Sequence, residues 1–415
     1  MELNELKNKK VLLLSGNSMG TGGDTRFTID LYNFLKKYSK DVKVLFNSSV
    51  NKKMIQLNPH NMNQNDAIYF DFKTEYEYNN EYDLCVITTV PHKTNHKTLI
   101  KKNFIDLLKK ITCKKIFLEV GHNTTCYNCT MYHQAEKNSD KDNQYAREFF
   151  ENIDFVIAHT NNGMFSKYLK KQKINIPLKE ALMVATNFDE LRDSIDKHDK
   201  VDRLVYFAGR PCVYKGLYVI LDFHKNYLMK NNYCTIFEGG DGGRRVFDTI
   251  YKNKETRETH SHIINNLNGS EPYNFNNPGG PLQFNGSYVR MEMLSRMSKA
   301  KFGCFFSYFG RADEGGPFEN VFNEMLCAGI IPIVRKEFYE CAHINRFYIK
   351  NIKPEDMGLL IYDESNENNV KKLIALMDKL DQDKELYNQY LEKGYSFFKK
   401  LLDMDVILEE LVKQF

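Results

Sequence analysis

Short apolar runs recur along the chain, separated by stretches whose apolar residues fall at helical spacing. Residues 10–15 (K-V-L-L-L-S) read as a buried first strand. A glycine-rich turn follows, with Gly16, Gly20, Gly22 and Gly23. Then Phe27, Leu31, Phe34 and Tyr38 recur at helical spacing, with Asp24 or Thr25 as the expected cap. Residues 42–45, 67–70, 84–88, 115–120 and 155–158 are further apolar runs. A second set begins near Asp202. Its strands are residues 204–208, 235–238, 302–306 and 330–334, with helical stretches such as 217–230 and 288–299 between them. Strands alternating with helices predict an α/β fold of parallel sheets and crossover units. No internal repeat is present.

A length of 415 residues predicts two domains. The boundary is placed in residues 184–199, rich in Asn, Asp and Lys. The first domain is then residues 1–190, joined by about 395–415, and the second is 191–394. Residues 270–286 read as a Pro/Gly/Asn loop inside the second domain, and 384–415 as one long helical tail that returns to the first.

Composition narrows the class. The chain is 42% hydrophobic and 27% charged, enough for a real core. It has no apolar run long enough to span a membrane and no apolar segment at its start, which predicts a cytosolic protein with no membrane partner. The net charge of +4 neither demands nor excludes nucleic acid. Nine scattered cysteines suit reduced thiols rather than a disulfide framework.

Two junctions carry the chemistry. Residues 207–215 (F-A-G-R-P-C-V-Y-K) place Arg210 and Lys215 just beyond a strand end, before Gly216. Residues 317–332 (P-F-E-N-V-F-N-E-M-L-C-A-G-I-I-P) bring Glu319, Asn320 and Glu324 to the start of a helix. Cations bind a diphosphate, and a Glu can accept both hydroxyls of a ribose. Ligands of open parallel sheets bind beyond the carboxyl ends of strands, where these residues fall. On a helix Glu319 and Glu324 are about 140° apart, so they face one ligand only if Glu319 stands in the entering turn. Glu238, ending T-I-F-E, holds a similar strand-end position. The plain alternatives are solvated cations, a dipole-stabilising cap and a turn residue.

Gly22 and Gly23 sit in a strand-to-helix turn that can present backbone N–H groups to an anion, although the spacing is not G-x-G-x-x-G. The set His122, Cys126, Cys129 and His133 has zinc-ligand types and spacings, in an unusual order. Cytosolic thiols in a polar loop are the simpler reading. Neither Asp403-Met-Asp405 nor Asp140-Lys-Asp142 makes a convincing D-x-D, so no obligatory metal is expected.

Several segments, in order, resemble the DNA α-glucosyltransferases of T-even bacteriophages. They are T-G-G-D-T-R-F at 21–27, I-A-H-T-N-N-G at 157–163 and A-T-N-F at 185–188. G-R-P-C-V-Y-K-G-L-Y-V-I-L-D-F-H at 209–224, F-E-G at 237–239 and M-L-S-R-M-S-K-A-K-F-G at 293–303 follow, then the Glu319/Glu324 helix. The chain resembles the wider retaining GT-B glycosyltransferases more distantly. The resemblance implies two Rossmann-like domains facing each other across a cleft, with the last helix crossing back to the first. It implies transfer of a sugar, glucose by family habit, from a UDP-sugar to the hydroxymethyl group of 5-hydroxymethylcytosine or 5-hydroxymethyluracil in duplex DNA, by a monomer. Arg210, Lys215 and Glu324 would hold UDP, with Glu319 near the sugar. Gly22, Gly23, Glu238 and Asn320 are further candidate donor contacts, and Asn161, Asn162 and Gly163 candidate acceptor contacts. The acceptor-side catalytic segment should fall at His122-Asn123, where the family carries His-Asp. Asn123 cannot act as a general base, which leaves His122 or the donor phosphate itself. Two rivals share these motifs: a transferase acting on a cell-wall or capsular glycan, and a catalytically inactive DNA-binding relative.

Overall fold

The structure, a computed structural model, describes residues 2–16, 23–47, 62–70, 82–90, 102–119, 140–159, 164–209, 215–238, 283–285, 290–307, 319–340 and 349–415. These form two compact units. One holds the described residues up to Ala185 together with Met404–Phe415. The other holds the described residues from Thr186 to Asp403.

The first unit is built on a parallel sheet of β1 (Lys10–Ser15), β2 (Asp41–Asn47), β3 (Ala67–Phe70), β4 (Leu84–Thr89), β5 (Lys114–Glu119), β6 (Phe155–Ala158) and β7 (Leu178–Glu180). The order is β3-β2-β1-β4-β5-β6-β7. Its central strands read as continuous apolar runs because both faces are buried: Val11 to Leu14 are at most 1% exposed. Its helices include α1 (Gly23–Lys36), α2 (Lys102–Lys110), α3 (Asp140–Glu151) and α4 (Met164–Lys171). Phe104, Phe117, Phe149, Phe150 and Phe165 pack into one cluster between helices and sheet. Because α1 begins at Gly23, Asp24 and Thr25 lie inside its first turn and do not cap it. Buried Asp66 ties the unit's outer strands to α1. It accepts from Tyr32 Oη and Lys43 Nζ, each at 2.7 Å, and pairs with Lys36 Nζ at 3.1 Å.

The second unit has a parallel sheet of β8 (Leu204–Ala208), β9 (Cys234–Glu238), β10 (Gln283–Asn285), β11 (Phe302–Phe305), β12 (Ile331–Arg335) and β13 (Leu360–Tyr362). The order is β10-β9-β8-β11-β12-β13. Its helices include α5 (Phe188–Ser194), α6 (Leu217–Phe223), α7 (Arg290–Met297), α8 (Asn320–Cys327), α9 (Glu367–Gln382) and α10 (Lys384–Leu402). Beyond α6 the chain continues through a π turn that buries His224, whose Nδ1 lies 2.9 Å from Thr235 Oγ1. The D-F-H end of that segment therefore supports the core.

Two expectations need correction. The tail is two helices, not one: α10 ends at Leu402, and α11 (Met404–Lys413) packs on α1 in the first unit. Asp403 between them is extended (φ −60°, ψ 142°) and bridges to Thr186, so it lies at the break rather than inside a helix. Lys37 and Asp405 (2.8 Å) then fasten α11 in place. Second, the end of the predicted 270–286 loop is a strand, because residues 283–285 pair in register with β9.

Candidate active site

A doubly wound sheet binds its ligand where the strand order reverses. In the second unit that point lies between β8 and β11. Strands β9 and β10 are added on one side of β8, and β11 to β13 on the other. At the end of β8 the Gly209 N–H donates to the Glu238 carbonyl at 2.9 Å. Lys215 and Gly216 then lead into α6. Gly216 is its N-cap, in the left-handed conformation (φ 78°).

Three junctions converge on one carboxylate. Lys215 Nζ forms an ion pair with Glu319 Oε2. Ser307, just after β11, donates from Oγ to Glu319 Oε1 at 2.9 Å. Glu319 itself is the N-cap of α8, with extended backbone (φ −117°, ψ 157°). It therefore stands before the helix and escapes the helical separation from Glu324. The side chains of Lys215 and Glu319 are each 17% exposed, so their pairing is only partly screened by water. The positive end of α8 adds to the field at this point. An ammonium and a helix N-terminus facing the strand switch can take a phosphate, and a carboxylate beside them can take a sugar hydroxyl.

Glu324 lies one turn into α8, buried, and accepts from Arg290 Nε at 2.7 Å. Glu238 is 1% exposed at the end of β9. It accepts from the Tyr206 hydroxyl on the neighbouring β8, and Arg296 Nε of α7 lies 3.2 Å from each of its oxygens. Glu238 is thus a buried anchor holding β8, β9 and α7 together. Asn323 of α8 donates from Nδ2 to Thr186 Oγ1 at 3.0 Å, which joins the A-T-N-F segment to the same helix.

The structure brings Lys215, Glu319, Asn320 and Glu324 to one end of the second sheet, and Glu238 ends β9 of that sheet. Gly23 opens α1 beyond β1, at the strand switch of the other sheet. Arg210, Gly22, His122, Asn123, Cys126, Cys129 and His133 lie outside the described residues, as do Asn161, Asn162 and Gly163. Among the described residues no three His, Cys, Asp or Glu side chains gather as a metal-binding group. No described helix is long and apolar enough to cross a membrane. Sequence reasoning missed Ser307, Arg290 and the role of Arg296. Arg296 stands inside the quoted M-L-S-R-M segment. Arg290 carried one signal, a cation at a helix start, against the helix dipole.

A family model of DNA alpha-glucosyltransferases matches residues 22–384. The chain belongs to the DNA alpha-glucosyltransferase family. This membership spans every element of the candidate site just described. The DNA alpha-glucosyltransferase of Enterobacteria phage T4 is 23% identical over 349 residues, covering 80% of each chain. Among solved structures, an alpha-glucosyltransferase in complex with UDP and a 13-mer DNA containing an HMU base aligns with a TM-score of 0.73 at 19% identity. That alignment covers 98% of this chain and 99% of that one. An alpha-glucosyltransferase in complex with UDP-glucose and DNA containing an abasic site gives 0.71 at 17% identity, over 98% and 99% of the chains. The Anabaena protein HepE in complex with UDP is more distant, at 0.58 and 13% identity over the same shares. These likenesses confirm the glycosyltransferase fold of this DNA alpha-glucosyltransferase family member.

Proposed function

We propose that the protein transfers glucose from UDP-glucose to the hydroxymethyl group of a modified pyrimidine in duplex DNA, with retention at the anomeric carbon. Family membership over residues 22–384 carries this reading. The meeting of Lys215, Ser307 and Glu319 at the strand switch supports the second unit as the donor side.

In this reading the bond between the anomeric carbon and the UDP β-phosphate oxygen breaks, and the hydroxymethyl oxygen takes its place. Negative charge builds on the leaving UDP. Lys215, with Arg210 before it in the same junction, stabilises that charge where it develops. Glu324 holds the ribose and Glu319 faces the glucose. Exchange of partners at Lys215, from Glu319 to diphosphate, releases the Glu319 carboxylate toward the sugar as the donor enters. Glu238, Asn320, Gly22 and Gly23 are further donor contacts in this reading. The hydroxymethyl proton passes to His122 or to the departing phosphate, since Asn123 cannot take it. The target base leaves the duplex to reach the sugar. The enzyme acts on DNA in the cytoplasm of the host cell.

The test is mass spectrometry of nucleosides from hydroxymethylcytosine and hydroxymethyluracil DNA after incubation with the protein and UDP-glucose, UDP-galactose or UDP-N-acetylglucosamine. A hexosylated pyrimidine with UDP-glucose is expected. No modified nucleoside with any donor, despite measurable UDP binding, would overturn this reading. It would leave the glycan transferase and the inactive DNA-binding relative, which UDP-glucose hydrolysis, expected only of an enzyme, would separate.

A further inference from the structure

We propose that Arg290, paired with Glu324, donates to a ribose hydroxyl and so makes the enzyme select the ribose of its donor nucleotide. This rests on the reading of Glu324 as the ribose ligand.

Arg290 is the first residue of α7. A cation there opposes the helix dipole, which favours negative charge at an N-terminus. Its partner lies on another helix: Nε donates to Glu324 Oε1 at 2.7 Å. Glu324 keeps only 8% of its side chain exposed, so the bond fixes the carboxylate in one orientation. The same guanidinium holds its Nη2 buried, with no hydrogen-bond partner. A buried donor without an acceptor is costly, and such groups are uncommon in folded proteins.

A ribose hydroxyl fits this pair. It gives its own proton to a carboxylate oxygen and accepts a proton at its oxygen. Glu324 supplies the acceptor and Arg290 Nη2 the donor, side by side. A phosphate oxygen would satisfy Nη2 too, but Glu324 would repel it. The geometry therefore favours a neutral hydroxyl over the diphosphate.

The test compares UDP with 2′-deoxy-UDP and 3′-deoxy-UDP by calorimetry, for the full chain and for Arg290→Met and Arg290→Lys. The unaltered protein should prefer UDP to at least one deoxy analogue by about tenfold to a hundredfold, the scale of a hydrogen bond to a charged group. Both variants should bind UDP more weakly and lose most of that preference, because lysine keeps the charge but not the fork. If Arg290→Met does not fold, Arg290→Lys decides. Equal weakening for all three nucleotides, with the preference intact, would mean that Arg290 only supports the fold, and would overturn the proposal. If the unaltered protein shows no preference and Glu324→Gln leaves UDP binding unchanged, the ribose reading of Glu324 is wrong and this proposal falls with it.

Discussion

Gly216 packs directly against Phe306. A Cβ placed on Gly216 would meet the Phe306 Cβ at 2.7 Å and its carbonyl oxygen closer still. The residue also needs a left-handed backbone (φ 78°). Both constraints serve one purpose: the turn behind Lys215 lies flush on the end of β11, beside Ser307. Gly216→Ala should therefore cost about 2 kcal/mol or more in backbone strain alone, with the steric clash added. Urea unfolding measures the loss. UDP titration at a temperature where the variant is folded should show weakened binding, because Lys215 moves with the turn. A variant as stable as the original protein would mean that the Phe306 contact yields easily.

The Lys215–Glu319 pair predicts a split between binding and turnover. Lys215→Met should weaken UDP binding by about 1.5–3 kcal/mol, the scale of a lost charged hydrogen bond. Arg210→Lys should weaken it too, since a point charge does not replace a planar fork. Ser307→Ala removes a hydrogen bond to Glu319 and leaves Lys215 in place. It should lower kcat while changing UDP affinity by less than about 1 kcal/mol. Calorimetry with UDP and steady-state rates on hydroxymethylated DNA separate these effects. Unchanged UDP affinity in Lys215→Met would remove Lys215 from the donor site.

Asp66 predicts an acid-labile first unit. Burial pushes its carboxyl up, but hydrogen bonds from Lys43, Tyr32 and Lys36 outweigh burial and hold it at about 2. The unfolded chain, with Asp at its ordinary value of 3.8, binds the proton first as pH falls. The stabilisation is therefore fully present above about pH 4 and is lost as pH falls through about 2, amounting to roughly 2 kcal/mol. Asp66→Asn should lower the urea midpoint at pH 7 and flatten its decline between pH 4 and 2. An equally steep decline in the variant would assign the acid sensitivity to other carboxylates.

Most strands legible in the sequence have apolar runs buried along their whole length, such as Leu204–Ala208 and Phe155–Ala158. The three it did not predict, Leu178–Glu180, Gln283–Asn285 and Leu360–Tyr362, are each three residues long and lie at sheet edges. So short a segment has no period of its own; pairing to a neighbouring strand makes it extended. The same holds at the site. Lys215, Glu319 and Glu324 were visible because each sits next to a strand end or helix start. Arg290 and Arg296 reach carboxylates 34 and 58 residues away, and no local pattern encodes such a pairing. Ser307 is a small hydroxyl after a strand, distinguished only by what it touches.

The acceptor half leads to the last prediction. Phosphate contacts release counterions, so binding to DNA should weaken steeply as salt rises. With a net charge of only +4, basic residues must concentrate where DNA lies rather than cover the surface. Free hydroxymethylated nucleoside enters the same pocket without the phosphate contacts that position a flipped base. It should react far more slowly than duplex DNA at equal concentration of modified base. The rate on DNA at subsaturating substrate should fall between roughly 50 and 200 mM salt, while UDP affinity changes much less. Equal rates on nucleoside and duplex, or a DNA rate indifferent to salt, would overturn DNA as the acceptor. A glycan acceptor would then be the better reading, since the donor side proposed at Lys215, Glu319 and Glu324 would serve either one.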